Sequence, residues 1–343
     1  MDTTAADSPS VRVHAVVTRE PRVFHVNAQR PHLLTLGECM GRLTPERIGL
    51  LEHAGDLTLH IGGAEANVAV AVARLGVAAT WMGRLGRDSV GDLIERRLSA
   101  DGVNVRAVRD PYPTGLMICT RRTAATVEVD YHRHHSAGSH LHPSDLSDDL
   151  FDDADLLHIT GITPALSPGA AETVFEAIDR ARRHGSTVSF DVNYRTKLWK
   201  PREAAPVLQK IAALSDIVFA GPEEAELLLD VPFTSPAAAA RAIAAMGPRE
   251  VVVKRGAEGC TALVDGAIHN RAALATVVTD PIGAGDAFVG GYLADYLTGE
   301  PVDTRLRTAL QMGAAAVSVP GDCENLPYRT ELDSLSATTD VVR

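Results

Sequence analysis

The amino-acid sequence predicts an α/β fold in which a doubly wound, mostly parallel sheet carries a small antiparallel sheet as a lid. Short apolar runs alternate with helix-like segments along most of the 343 residues, a rhythm typical of parallel sheets covered on both faces. Residues 114–131 instead alternate apolar and polar side chains, which indicates a hairpin with one solvated face. The hydrophobic fraction of 45% is enough for a large core.

In the first half of the chain, local signals place strands and helices in alternation. The predicted elements are a buried strand at 33–38, an irregular segment at 42–60 with alternation near 57–61, a helix at 64–75, a strand at 78–82, a helix at 90–100 and the hairpin. Gly76 is a typical helix end, and Asp88 or Ser89 is a typical helix cap. These signals favour a chain that enters the lid and returns to the main sheet.

The second half resumes the alternation of strand and helix. Strands are predicted at 156–159, 187–192, 216–219 and 251–254, with a hairpin of 260–264 and 267–270 around Asp265-Gly266. Helices are predicted at 169–184, from 222 to 229, around the alanine run 237–240, at 287–297 and at 304–317. We expect a variable extension at 1–30, one domain at 31–330 with a lid formed by about 39–61 and 113–134, and a tail at 331–343.

Composition excludes several classes of protein. A net charge of −11 and a pI of about 5.6 argue against a nucleic-acid binder. The four cysteines form no Cys-x-x-Cys pair, so they indicate neither a zinc ribbon nor a disulfide framework, and a reduced, cytoplasmic protein is expected. No apolar run is long enough to span a bilayer, and no membrane partner is expected.

The most informative segment is 280–291, a loop with two glycines that runs into an apolar helix. Gly283 and Gly285 lack a Cβ, so a phosphate can approach the backbone N–H groups at the helix start. Asp286 lies where a carboxylate reaches a hydroxyl beside that phosphate, which suggests phosphoryl transfer to an alcohol. A purely structural turn with a helix-stabilising Asp explains this segment alone equally well. Neither a dinucleotide fingerprint nor a Walker loop fits, because Phe288 replaces the third glycine and no Gly-Lys pair occurs.

Four other segments are candidates for ligand contacts. Gly63 and Asn67 open a second helix and could face a sugar, or they could serve close helix packing. Arg195 follows a predicted strand and could neutralise a phosphate, although this stretch alone slightly favours an exposed surface arginine. The turn 254–259 could cover a nucleotide or be an ordinary hairpin turn. Glu224 opens a helix, where it could contact magnesium through water or stabilise the helix dipole.

Taken together, these segments resemble the ribokinase-like (PfkB) carbohydrate kinases over about residues 33–328. The segments that carry the resemblance are 62–76 continuing through 83–88, and 280–291. Within that family the chain looks most like the 2-keto-3-deoxygluconate kinases, through residues 62–67, 136–139, 160–167, 191–195, 198–199 and 321–322. The resemblance implies a ribokinase-like fold, an ATP-dependent transfer to a primary hydroxyl, and a 6-phosphate product.

The resemblance also implies roles for individual residues. It makes Asp286 the base and Gly283, Ala284 and Gly285 the anion hole. It implies substrate contacts from Gly63, Ala64, Glu65, Ala66, Asn67, Met117, Tyr131, His132, Arg133, Arg195, Asp286 and Asp322. It implies nucleotide contacts from Asn193, Tyr194, Arg195, Lys254, Arg255, Gly256, Ala257, Glu258, Gly259 and the residues of the 283–286 loop, with Glu224 near the metal.

The expected ligands are a sugar or sugar acid, ATP and Mg²⁺, with a monovalent cation left open, and a homo-oligomer is expected through the lid. Met117 stands where those kinases usually carry a Tyr, and Gly221 replaces the Asn of an Asn-x-x-Glu metal motif. The exact sugar is therefore open. A kinase for fructose, ribose or a modified hexose, a nucleoside kinase, and a non-catalytic sugar-binding regulator remain as alternatives.

Overall fold

The structure, a computed structural model, describes residues 31–123 and 126–332. The predicted extension at 1–30 and residues 333–343 of the predicted tail lie outside the described residues. The strands, numbered in chain order, are β1 His32–Leu36, β2 Met40–Pro45, β3 Leu57–Gly62, β4 Ala78–Gly86, β5 Asn104–Asp110, β6 Leu116–Arg121, β7 Val127–His132, β8 Leu156–Thr160, β9 Thr187–Asp191, β10 Ile217–Ala220, β11 Glu250–Lys254, β12 Cys260–Val264 and β13 Ala267–Arg271. The helices are α1 Ala64–Arg74, α2 Ser89–Ala100, α3 Asp149–Asp152, α4 Pro168–His184, α5 Pro201–Leu214, α6 Pro222–Leu229, α7 Pro236–Ala244, α8 Ala284–Leu297 and α9 Val302–Ala316.

The main sheet has nine strands in the order β13-β12-β11-β10-β9-β8-β1-β4-β5. The strands from β11 through β5 in this order pair in parallel, and the β11–β12 and β12–β13 pairs at the other edge are antiparallel. Their carboxyl ends therefore meet at one edge, which is where ligands bind in open α/β sheets. The predicted α/β fold with a doubly wound, mostly parallel sheet is confirmed.

Helices cover both faces of this sheet. Helices α1, α2, α8 and α9 pack on one face, and α4 to α7 pack on the other. Helix α8 is buried along most of its length, and a Cβ at Gly290 would lie 2.4 Å from the Ala71 Cβ of α1. Such close packing holds the middle of α8 against the second half of α1.

The second sheet forms the lid, in the order β3-β2-β6-β7. Strands β2 and β6 pair in parallel, while the β2–β3 and β6–β7 pairs are antiparallel. The predicted hairpin is present as β6 and β7. The prediction of an irregular segment at 42–60 was wrong at its start, because β2 is a buried strand in which Arg42 interrupts the apolar pattern.

Three more elements were not predicted from the sequence: the four-residue helix α3, strand β5 and helix α5. Proline lies inside α5 at Pro206, and charged residues interrupt β5, so each lacks the usual signal. The described residues contain no helix that is both long and apolar enough to cross a membrane.

Candidate active site

A cavity of about 760 Å³ lies at the carboxyl edge of the main sheet and reaches the lid. The main sheet contributes the segments that follow β1, β8, β9 and β10, and Lys254 at the end of β11. The lid contributes side chains of β2, β6 and β7. The residues before helices α1 and α8 also line the cavity. The two glycine-initiated helices therefore converge on one cleft.

The loop before α8 presents backbone N–H groups to this cavity. Gly283 caps the helix with a left-handed φ of 80°, and a Cβ there would lie 2.4 Å from the carbonyl oxygen of Asp322. The first hydrogen bond within the helix runs from the Ala287 N–H to the Gly283 carbonyl at 2.9 Å. The N–H groups of residues 284–286 thus have no partner within the helix, which makes this end of α8 suited to bind an anion.

Asp286 follows in the first turn of α8, lines the cavity and is 8% exposed. Asn67 of α1 donates from Nδ2 to its Oδ2 at 2.8 Å, and Asn193 after β9 donates to its Oδ1 at 3.2 Å. The Asn67 amide also donates to Oδ2 of Asp322 at 3.1 Å. Two amides on separate elements therefore fix the direction of the Asp286 carboxylate, as a general base requires.

Lys254, at the end of β11, places a positive charge beside the anion-binding loop. Its Nζ lies 2.7 Å from both carboxylate oxygens of Asp191, and a Cβ at Gly285 would be 3.6 Å from Nζ. Burial raises the pKa of Asp191 to about 6, although Lys254 opposes that shift. Burial lowers the pKa of Lys254, but Asp191 and Glu224 outweigh it, so the net pKa is raised and the lysine stays charged.

Glu224 lines the cavity at the start of α6. Its carboxylate accepts hydrogen bonds from the Gly221 N–H at 2.6 Å and the Tyr194 N–H at 3.0 Å. Within the described ranges no three His, Cys, Asp or Glu side chains are grouped to hold a metal ion. Such a set would suit Mg²⁺ held mainly by phosphate oxygens and water, with Glu224 as the carboxylate that would accept from its water ligands.

The lid end of the cavity carries positive side chains and a carboxylate. Arg133 forms an ion pair with buried Glu38, and its guanidinium lies 5.4 Å from the ring centroid of Tyr131. Arg195 is exposed in the loop after β9 and also lines the cavity. Two arginines at one cavity suit an anionic ligand such as a sugar acid.

The structure brings many of the predicted site residues to this cavity. Those that line it are Gly63, Met117, Tyr131, Arg133, Asn193, Tyr194, Arg195, Glu224, Lys254, Gly283, Gly285, Asp286 and Asp322. Those outside its lining are Ala64, Glu65, Ala66, Asn67, His132, Arg255, Gly256, Ala257, Glu258, Gly259 and Ala284. Of the second group, Asn67 contacts Asp286 directly. The carboxylate of Glu65 instead accepts from the hydroxyls of Thr160 and Thr163.

Sequence reasoning missed two charged residues near the site. Glu38 lies two residues after β1, so the reasoning that singled out Arg195 after a predicted strand could have found it. Arg42 is fully buried in β2 and forms ion pairs with Asp280 and Asp322. It gave no signal, because it lies in a segment that reads as irregular.

A model of the pfkB family of carbohydrate kinases matches residues 30–329. The chain belongs to this family. It is 34% identical to a 2-dehydro-3-deoxygalactonokinase of Haloferax volcanii, over 84% of this chain and 92% of the relative. It is also 34% identical to a 2-dehydro-3-deoxygluconokinase of Bacillus subtilis, over 90% of this chain and 96% of the relative.

A comparison with solved structures also supports membership of this family. A putative ribokinase II from E. coli, in complex with ATP and Mg²⁺, has a TM-score of 0.83 and 26% identity over 89% of this chain and 99% of that chain. The predicted family and ribokinase-like fold are confirmed. The protein is an ATP-dependent sugar kinase, and its family implies ATP, a divalent cation and a small sugar as ligands.

Proposed function

We propose that this kinase phosphorylates the 6-hydroxyl of 2-keto-3-deoxygluconate. The observation that carries the proposal is Asp286, held by Asn67 and Asn193 at the N-terminus of α8 inside the cavity. The names of the two relatives support a 2-keto-3-deoxy sugar acid as substrate. The arginines Arg133 and Arg195, which line the cavity, provide charges that suit its carboxylate.

In the proposed reaction, Asp286 takes the proton of the primary hydroxyl. The freed alcohol oxygen then forms a bond to the γ-phosphorus, and the bond to the ADP oxygen breaks. The N–H groups of residues 284–286 and the Lys254 ammonium stabilise the charge on the transferred group. Positioning and electrostatics supply most of the catalysis in such transfers.

At the nucleotide end, we assign ATP contacts to Asn193, Tyr194, Arg195 and Lys254, all of which line the cavity. Magnesium neutralises phosphate charge when it is bound, and Glu224 is placed to orient its water ligands. The turn 255–259 lies outside the cavity lining, so its contact with the nucleotide stays a prediction. The monovalent cation and the cytoplasmic location also stay predictions.

At the sugar end, Met117 puts a thioether where a hydroxyl would bind the substrate in related kinases. This change removes one hydrogen-bonding contact to the substrate, so it leaves the exact sugar acid open. The gluconate and galactonate forms differ in one hydroxyl configuration, and both relatives are named for such acids. The galactonate form is therefore the second candidate.

A coupled ADP-release assay with a panel of sugars tests the substrate. The panel holds both 2-keto-3-deoxy acids, fructose, ribose and a nucleoside, each with ATP and Mg²⁺. We expect kcat/KM for the gluconate acid to exceed that for fructose by about 100-fold or more, because fructose has no carboxylate to pair with the exposed Arg195 or to bind beside the Arg133–Glu38 ion pair. Higher kcat/KM for a neutral sugar would refute the proposed substrate. A thermal shift with sugar but no ADP release would favour a binding protein instead.

We also propose that two copies associate through the lid. Strand β3 is an edge of the lid sheet, and large apolar side chains are exposed on it and on the loop before it. They are Ile48, Leu50, Leu51, Leu57 and Leu59, which are 36–53% exposed. Contiguous apolar exposure beside an open strand edge is typical of an interface.

A further inference from the structure

Arg42 is a buried charged residue near the site for which the proposed reaction provides no role. It lies in lid strand β2 with 0% exposure, and its guanidinium forms ion pairs with Asp280 through Nη2 and with Asp322 through Nη1. A buried arginine of this kind is costly unless both of its carboxylate partners are in place. Its partners therefore indicate what it does.

Both partners belong to the frame of the anion-binding loop. Asp280 begins that loop: its Oδ1 accepts the Ile282 N–H at 3.1 Å, and its Oδ2 accepts the Gly321 N–H at 3.4 Å. Asp322 accepts the Asn67 amide that also holds Asp286, and its carbonyl packs against Gly283. One guanidinium thus reaches both the loop and the residues that orient the base.

Arg42 is also joined to the part of the lid that faces the sugar. In the lid sheet Arg42 pairs with Met117, and Met117 pairs with Tyr131. Both of these neighbours line the cavity. A single row of residues across the lid therefore carries two cavity-lining side chains and the arginine that holds the anion-binding loop.

The charge states of Arg42 and Asp322 depend on one another. Burial lowers the pKa of Arg42, but Asp322 and Asp280 outweigh it, so its net pKa is raised and it stays charged. Burial raises the pKa of Asp322 to about 6, and Arg42 and Asn67 oppose that shift. The arginine thus favours the carboxylate form that accepts the Asn67 amide.

We propose that Arg42 is a positioning residue for phosphoryl transfer, which fixes the sugar-facing row of the lid against the anion-binding loop and keeps Asn67 aligned on Asp286. This inference rests on the proposed kinase function. The proposed reaction assigns a role to Asp286 alone as the base. The inference adds a structural link from the lid to that residue.

The test compares Arg42→Lys with Arg84→Lys in the full chain. Arg84 of β4 is a matched control, because it also joins two aspartates, Asp110 and Asp145, at 2.7 Å each, and it does not line the cavity. A lysine keeps the charge but cannot donate to two carboxylates in the same fork geometry. We expect both variants to lose thermal stability, and only Arg42→Lys to lose about 10-fold or more in kcat/KM for the sugar.

Equal kinetics of the two variants, at similar losses of thermal stability, would overturn the proposal. An inactive wild-type protein on the whole sugar panel would refute the proposed function instead, so the two failures are distinguishable. The kinetic difference is the deciding quantity, because a purely structural role for Arg42 would give both variants the same loss.

The pH profile of kcat/KM gives a second readout in Arg42→Gln. The groups that surround Asp322 and shape its titration are Arg42 of β2, Asn67 of α1, Asp286 of α8, the loop residue Asp280, and Cys39 and Cys119. Without the arginine, Asp322 binds its proton at higher pH, so the acidic limb should move upward by about one pH unit. An unmoved acidic limb would contradict the proposal. If Arg42→Gln does not fold, the comparison of the two lysine variants decides.

Discussion

At the scale of single residues, the site depends on how neutral amides hold charged groups. Asn67 donates both to Asp286 and to Asp322, so one side chain separates two carboxylates that would otherwise repel each other. Asn193 holds the other oxygen of Asp286 from a left-handed backbone with φ of 40°, a conformation that asparagine tolerates well. Two neutral amides from separate elements therefore orient the base.

Replacing Asn67 by alanine should slow the reaction more than it weakens binding. The buried carboxylates lose their shared donor, at a cost of about 1–3 kcal/mol, which is roughly 5- to 150-fold in kcat. Steady-state kinetics with saturating sugar and ATP would measure this loss. Asn104→Ala is the control, since Asn104 donates to Thr80 away from the cavity. Similar kcat values in both variants would contradict the role assigned to Asn67.

At the scale of elements, the start of α8 is built from small residues that allow close approach. Gly283 supplies the left-handed turn and lies against Asp322, and Gly290 packs against α1. The sequence predicted this loop because glycine spacing and an apolar helix are local signals. It placed the helix start at Ala287, whereas the helix begins at Ala284, because the polar first turn serves the ligand and not the core.

Gly283→Ala should disturb the anion-binding loop and reduce ADP release. Gly299→Ala, at a glycine with a similar positive φ, should not. Both Gly283 and Gly299 have positive φ, at 80° and 76°, so an alanine at either costs about 1 kcal/mol or more. Only at Gly283 would the Cβ meet the Asp322 carbonyl, while at Gly299 it would meet open space. We expect ADP release to fall about 10-fold or more in Gly283→Ala alone. Equal activity of the two variants would contradict this view of the loop.

Glu65 of α1 predicts a pH-dependent change in stability. Burial raises its pKa to about 7, although the hydroxyls of Thr163 and Thr160 oppose the shift. Since the folded pKa lies above the unfolded one, charging this group costs stability above pH 7 and costs nothing below pH 4. Glu65→Gln keeps an acceptor for both hydroxyls, so it should raise the free energy of unfolding by up to about 3 kcal/mol at pH 8. Urea unfolding of the wild type and Glu65→Gln at pH 8 and pH 4 would measure this difference in the free energy of unfolding. An equal increase at both pH values would show that the charge on Glu65 is not its cause.

At the scale of the whole molecule, the alternation of strands and helices was enough to predict the doubly wound sheet and its lid hairpin. Most main-sheet strands are short apolar runs, which can be recognised from the sequence alone. The contacts that build the site join residues far apart in the chain, such as Asn67 with Asp286 and Arg42 with Asp280. No local sequence pattern indicates which residues form such long-range contacts. Strand β2 was missed for the same reason, since its arginine is paired only in the folded chain.

The proposed dimer predicts that charge on the outer lid strand separates the subunits. Leu57→Lys with Leu59→Lys puts two ammonium groups on the exposed side of β3, where burial in an interface would be costly. Light scattering should then give about half of the wild-type mass. Val277→Lys with Val278→Lys, two exposed residues outside the lid, is the control and should leave the mass unchanged. A wild-type protein that is already monomeric would refute the proposed dimer.

The central claim is that Asp286 removes a proton from the sugar hydroxyl beside the N–H groups of α8. The most direct test is the turnover of Asp286→Asn, which keeps the shape of the side chain but can accept from only one of Asn67 and Asn193 through its single oxygen. We predict a normally folded protein that has lost roughly two orders of magnitude or more in kcat. Turnover close to that of the wild type in this variant would contradict the account.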